Sequence, residues 1–114
     1  MTLTIRPLTA ADRQQWNELW KGYLDYYETT LAPEIYDSAF GRMISADHYD
    51  YHGLVAELNG KLVGLTHYIY HTHGWQLEKV CYLQDLFADP AQRGTGIGRA
   101  LIEGVYKAAD TAGC

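Results

Sequence analysis

From Tyr82 to Ile102 the chain reads YLQDLFADPAQRGTGIGRALI: a β-prone run, a proline turn, three alternate glycines and a helix start. Gly94, Gly96 and Gly98 carry no Cβ, so backbone N–H groups can face outward there without obstruction. The helix beginning near Ile97 points the positive end of its dipole at the same place. Together these features make an anion site of phosphate size. Arg93 and Arg99 flank it and can add charge-assisted contacts. A dinucleotide-binding fingerprint would need its glycines after a first strand and an acidic residue about 20 positions later. Here they follow the last strand, and the chain ends too soon. A Walker loop needs Gly-Lys-Ser/Thr, whereas Gly98 is followed by Arg99. The plain alternative is a glycine-rich turn linking strand to helix, which three glycines with flanking arginines make less attractive.

The elements that position this loop follow from periodicity. Leu3 to Arg6 alternates as a short first strand. Thr9-Ala-Ala-Asp12 is a capping box with Asp in place of Glu and predicts a helix start. Trp16, Leu19, Trp20, Tyr23, Leu24 and Tyr27 then recur at helical spacing, mostly as core. Pro33 suits the first turn of a second helix running to about Ile44. Asp47 to His52 reads as a loop and Gly53 to Leu58 as a strand. Asn59-Gly60 signals a tight hairpin turn, and Lys61 to about His71 returns from it. Leu77 to Phe87 is a third long β-prone run, closed by Asp89-Pro90. Ile97, Leu101, Val105, Ala108 and Ala112 lie on one helical face, with Gly113 at the cap position. The expected order is β-α-α-β-β-β-α in one domain spanning residues 1–114. His71 and His73 share a strand face, but with no third ligand nearby an exposed turn is the simpler reading, and no metal is expected.

Bulk properties narrow the function classes. The chain has 114 residues and a net charge of -5, which disfavours nucleic-acid binding through clustered cations. Acidity suits a cationic substrate such as an amine, although solubility alone would also account for it. No apolar run approaches the roughly 20 residues a membrane span needs. Two cysteines without CxxC spacing suggest neither a disulfide framework nor a zinc knuckle, so a cytoplasmic location is expected.

Arg93-Gly-Thr-Gly-Ile-Gly98 resembles the Arg/Gln-x-x-Gly-x-Gly/Ala signature of the GNAT (GCN5-related) N-acetyltransferase superfamily. Leu86-Phe-Ala-Asp-Pro90 is similar to the exit of that family's fourth strand, and Ile5 to Asp12 to its usual start. Within the superfamily, Tyr82 to Phe87 and Gly104 to Asp110 look closest to small histone/polyamine-type acetyltransferases. The resemblance implies an α/β (α+β) acyl-CoA N-acyltransferase fold, with a mixed, mostly antiparallel sheet flanked by helices. On that pattern the chain stops before the fifth strand, and an exposed sheet edge would favour a homodimer or oligomer.

The resemblance also implies roles. Acetyl-CoA is the expected cofactor, with its pyrophosphate on the amides of Gly94, Thr95, Gly96, Ile97, Gly98 and Arg99, and with Arg93 as a flanking cofactor-binding residue. A bulge in the fourth strand would turn backbone groups of Leu86, Phe87 and Ala88 toward the pantetheine arm. The expected reaction is direct attack of a neutral primary amine, of a small molecule or a protein, on the thioester. An alkylamine with pKa near ~10 arrives protonated, so a proton must leave. Where many relatives have Glu, this chain has Gln84, which can hold a water but cannot act as a base. Asp85 should face the other side of the sheet by alternation. His67 is a possible substitute base, although a satisfied or exposed histidine is the simpler reading. Tyr26, Tyr27, Glu28 and Glu34, near the connection of the first two helices, are expected to contact the acceptor amine. The competing reading is a catalytically silent coenzyme A-binding module with a sensing or assembly role.

Overall fold

A computed structural model describes residues 3–45, 51–92 and 96–114. Its elements are β1 (Leu3–Pro7), α1 (Arg13–Tyr26), α2 (Pro33–Ile44), β2 (Tyr51–Leu58), β3 (Lys61–His71), β4 (Val80–Ala88) and α3 (Ile97–Ala112). Short 3-10 turns at Ala10–Asp12 and Pro90–Gln92 lead into α1 and follow β4. The expected element order holds. The strands form one antiparallel sheet in the order β1-β2-β3-β4, which leaves β4 on an edge.

The turn before α1 is held by Asp12, whose carboxylate accepts from the Thr9 N–H at 2.8 Å and from the Thr9 hydroxyl at 3.2 Å. Arg6 donates to both oxygens of the same carboxylate and to Glu57, tying the turn to β1 and β2. Asn59 and Gly60 both adopt positive φ, as a two-residue hairpin turn requires. Gly113 ends α3 in the left-handed region. Strand β2 begins at Tyr51, earlier than the expected Gly53, so Tyr51 and His52 are paired with β3 rather than lying in a loop. The remainder of that expected loop, residues 47–50, lies outside the described residues.

The sheet separates two apolar layers. Helices α1 and α2 cover one face through Trp16, Trp20, Leu24 and Phe40 against Val55, Leu65 and Phe87. Helix α3 covers the other through Ile97, Leu101 and Val105 against Leu54, Ala56 and Val63. Strict alternation fails at two bulges. The β2–β3 register skips Val63, so Val63 and Gly64 both face α3. The β3–β4 register pairs His67 with Asp85 and Tyr68 with Leu83, which makes Gln84 the extra residue.

Candidate active site

The second bulge corrects the expectation for Asp85. Leu83 and Leu86 pack on the α3 side, while Phe87 packs on the α1 side. Between them, Asp85 reaches His67 beneath α1, and Gln84 lines a cleft against α1 and α2. An inserted residue shifts the side-chain phase by one, so Gln84 and Asp85 share a face. Alternation read from the sequence could not show this.

His67 fits the simpler of its expected readings, a satisfied histidine, rather than a substitute base. It is fully buried, the Trp16 indole N–H donates to its Nε2 at 2.9 Å, and its Nδ1 lies 2.7 Å from Asp85 Oδ2. A donor on Nε2 places the ring proton on Nδ1, which then donates to the carboxylate. Neither nitrogen is left to take a proton from a substrate. Asp85 also raises the Tyr23 phenol: burial pushes it up first, followed by the charge of Asp85 and a hydrogen bond to it. Tyr51 is raised for the same reasons in the same order, burial and then the Asp85 charge. The network is a structural unit that braces the strand beneath Gln84.

Helix α3 opens at Gly96, with φ of 81° and no side-chain cap. The first α-helical hydrogen bond among the described residues runs from Ala100 N–H to Gly96 O, so the amides of Ile97, Gly98 and Arg99 precede it. Such first-turn amides have no acceptor four residues earlier within the helix and suit an anion. The Ile97 side chain is buried against Gly64, leaving only its backbone for a ligand. A Cβ on Gly98 would meet nothing within 4 Å among the described residues, which leave the approach to the helix end open. Arg99 is exposed and donates from Nε to Glu103 at 3.1 Å, with its other nitrogens uncommitted among the described residues. Arg93, Gly94 and Thr95 lie outside the described residues.

Strand β4 leads to this helix end. Asp89 N–H donates to Val63 O at 2.8 Å, an inward bond toward β3. In an antiparallel ladder inward and outward residues alternate. Phe87 therefore turns its backbone groups toward β3, and Leu86 and Ala88 turn theirs to the open edge. Of the three residues expected to meet a pantetheine arm, Leu86 and Ala88 present their backbone groups at the open edge and Phe87 does not. The donors at the helix end and along the edge fit a long ligand with an anionic head and an amide-bearing tail.

The structure does not gather the four expected acceptor contacts. Tyr26 and Tyr27 are 68% and 60% exposed, and Tyr26 lines a separate groove with Phe87, Asp89 and Pro90. Glu28 is exposed with φ of 56°, and Glu34 is exposed in the first turn of α2. None of the four lines the cleft that contains Gln84. That cleft, of about 400 Å³, is formed instead by Trp20, Leu31, Ile35, Ala39, Arg42, Tyr51, Ile69 and Gln84. The sequence signal for this cleft is the spacing of Ile35, Ala39 and Arg42, which follows one face of α2 and ends it in a cation, with Leu31 contributed by the segment before the helix.

The model of the acetyltransferase (GNAT) family matches residues 13–114. The D-amino-acid N-acetyltransferase HPA3 of Saccharomyces cerevisiae is 33% identical over 112 residues, covering 97% of this chain and 70% of that protein. The aminoglycoside N-acetyltransferase AAC(6')-Iy, solved in complex with CoA, superposes with a TM-score of 0.83 at 20% identity, covering 99% of this chain and 72% of that one. A ribosomal-protein-alanine N-acetyltransferase from Brucella melitensis gives 0.82 at 17% identity, covering 98% and 74%.

Proposed function

The chain belongs to the acetyltransferase (GNAT) family, and on that premise we propose that it binds acetyl-CoA along β4 and at the mouth of α3 and acetylates a primary amine in the Gln84 cleft. The observation that carries this reading is that the uncapped first turn of α3 and the end of β4 meet at Gly64, where an added Cβ would lie 2.7 Å from Ile97 Cγ2 and 3.1 Å from Phe87 O. The diphosphate would lie on the amides of Gly96 to Arg99, and the proposal extends to Arg93, Gly94 and Thr95. Phe87 supports the site through its side chain in the core.

Acetyl-CoA would supply an activated acyl carbon, to which the amine nitrogen bonds as the C–S bond breaks and the thiolate takes up a proton. Proximity in the cleft provides much of the acceleration. Gln84, exposed on the bulge, would hold a water through which the ammonium proton leaves to solvent. Tyr26, Tyr27, Glu28 and Glu34 would act at most at the outer approach, by attracting a cation. A relative named for D-amino acids makes α-amino acids the first acceptors to test. We further infer a homodimer seated on the open edge of β4, in a cytoplasmic protein. Among the described residues no helix is long and apolar enough to cross a membrane.

Calorimetric titration with coenzyme A and thiol release from acetyl-CoA with a panel of amines test the reading together. Saturable binding that weakens at least about tenfold in Gly96→Val, with amine-dependent thiol release, is expected. No binding overturns the site. Binding without release for any amine overturns transfer and leaves the silent module.

A further inference from the structure

We propose that the cleft beside the β4 bulge selects amines that carry a carboxylate, and that Arg42 is the residue that holds the carboxylate; this rests on the acetyl-transfer reading of the same cleft. The walls are apolar and aromatic, from Trp20, Leu31, Ile35 and Tyr51, and Gln84 lines the same cleft. Among the described residues that line it, Arg42 is the one charged side chain.

Its pairing sets it apart. Arg6 is paired with Asp12 and Glu57, Arg13 with Asp37, and Arg99 with Glu103. Arg42, alone among the described arginines, has no carboxylate partner among the described residues. It is nonetheless held in place. Its Nε donates to Ser38 O at 3.3 Å, and its guanidinium carbon lies 5.3 Å from the centre of the Tyr51 ring. Anchoring through Nε and the ring leaves the two terminal nitrogens without a carboxylate among the described residues, and they are the pair that grips a carboxylate in a fork.

Charge decides among acceptors. An ammonium that loses its proton before attack contributes no lasting charge, so the group that distinguishes one amine from another is what else it bears. A polyamine or a lysine side chain in a basic peptide brings further positive charge toward Arg42 and is disfavoured. An amino acid brings the complementary charge, and its side group meets the aromatic wall. The Trp20 indole N–H, buried and without a partner among the described residues, belongs to a ring of that wall.

Phenylalanine and phenylethylamine share an amine and an aryl group and differ by the carboxylate, so thiol release with each tests the proposal. We expect kcat/KM to favour phenylalanine by about 10- to 100-fold, the range of a charge-assisted contact. In Arg42→Gln the ratio should fall to near one through KM for phenylalanine rather than kcat, with an unchanged melting temperature. Equal use of the two amines, or a substitution that lowers both alike, overturns the proposal. Should no amine be acetylated, the transfer reading fails by itself. Quenching of tryptophan fluorescence by the two amines, with coenzyme A present, then decides the cleft: weaker phenylalanine binding in Arg42→Gln supports it, and no phenylalanine binding to the unaltered chain overturns it.

Discussion

Asp12 is the carboxylate on which the first turn depends, and its titration is readable from its partners. Hydrogen bonds from Arg6 come first among the causes that hold it below the ordinary carboxylate value, with burial opposing them. A depressed value means that the folded state favours the charged form. The resulting stability is present above the unfolded value of about 3.9 and is lost as pH falls through the folded one. Asp12→Asn should cost about 2 kcal/mol at neutral pH, as charged hydrogen bonds do, and should flatten the acid limb in urea melts recorded from pH 7 downward. Gln84 makes a different kind of prediction. Gln84→Glu puts a base on the bulge and should raise kcat for an amine about 100-fold near neutral pH, measured by thiol release. An unchanged kcat would move the proton route away from Gln84. The glutamine itself was legible in the sequence; its shared face with Asp85 was not, because one inserted residue reverses the parity on which alternation rests.

Helix α3 and strand β3 meet at Gly64, where an added Cβ would lie 2.7 Å from Ile97 Cγ2 and 3.1 Å from both Leu101 Cδ1 and Phe87 O. The Val63 bulge turns this glycine toward the helix, and the missing side chain lets the first turn of α3 settle on the sheet. Gly64→Ala should destabilise the fold by about 1–3 kcal/mol and weaken coenzyme A binding with it, since the helix mouth moves with Ile97. Chemical denaturation and calorimetry on the one variant check both effects; full stability with full affinity would separate the helix mouth from the sheet. The boundaries of α2 and β3 follow the sequence closely, because Pro33 and Asn59-Gly60 act locally. Strand β4 begins at Val80 rather than Leu77, since only pairing with His71 decides where that strand starts.

Two apolar layers on one sheet leave surfaces at its margin that neither covers. Trp75 and Leu77, in the turn before β4, are 94% and 101% exposed, and Tyr82 on β4 is 56% exposed. Apolar surface beside an open strand edge favours self-association. Sedimentation should show a dimer at micromolar concentration that dissociates in Trp75→Glu/Leu77→Asp, whereas a monomer at every concentration would remove the inference. The proposed cofactor site uses the outward backbone of Leu86 and Ala88 on the same edge, so coenzyme A should shift the dimerisation equilibrium.

By itself the sequence determined the elements and their order, since caps, hairpin turns and apolar periods act over a few residues. It also pointed to the strand-to-helix junction on which the proposed anion site rests. Tertiary structure decided which groups share a face. The bulge at Gln84 brought Asp85 under α1 with His67 and Trp16 and set Gln84 in the cleft with Arg42 of α2, and the bulge at Val63 turned Gly64 to α3. Those relations depend on strand register and helix packing across the whole chain, which no local pattern specifies.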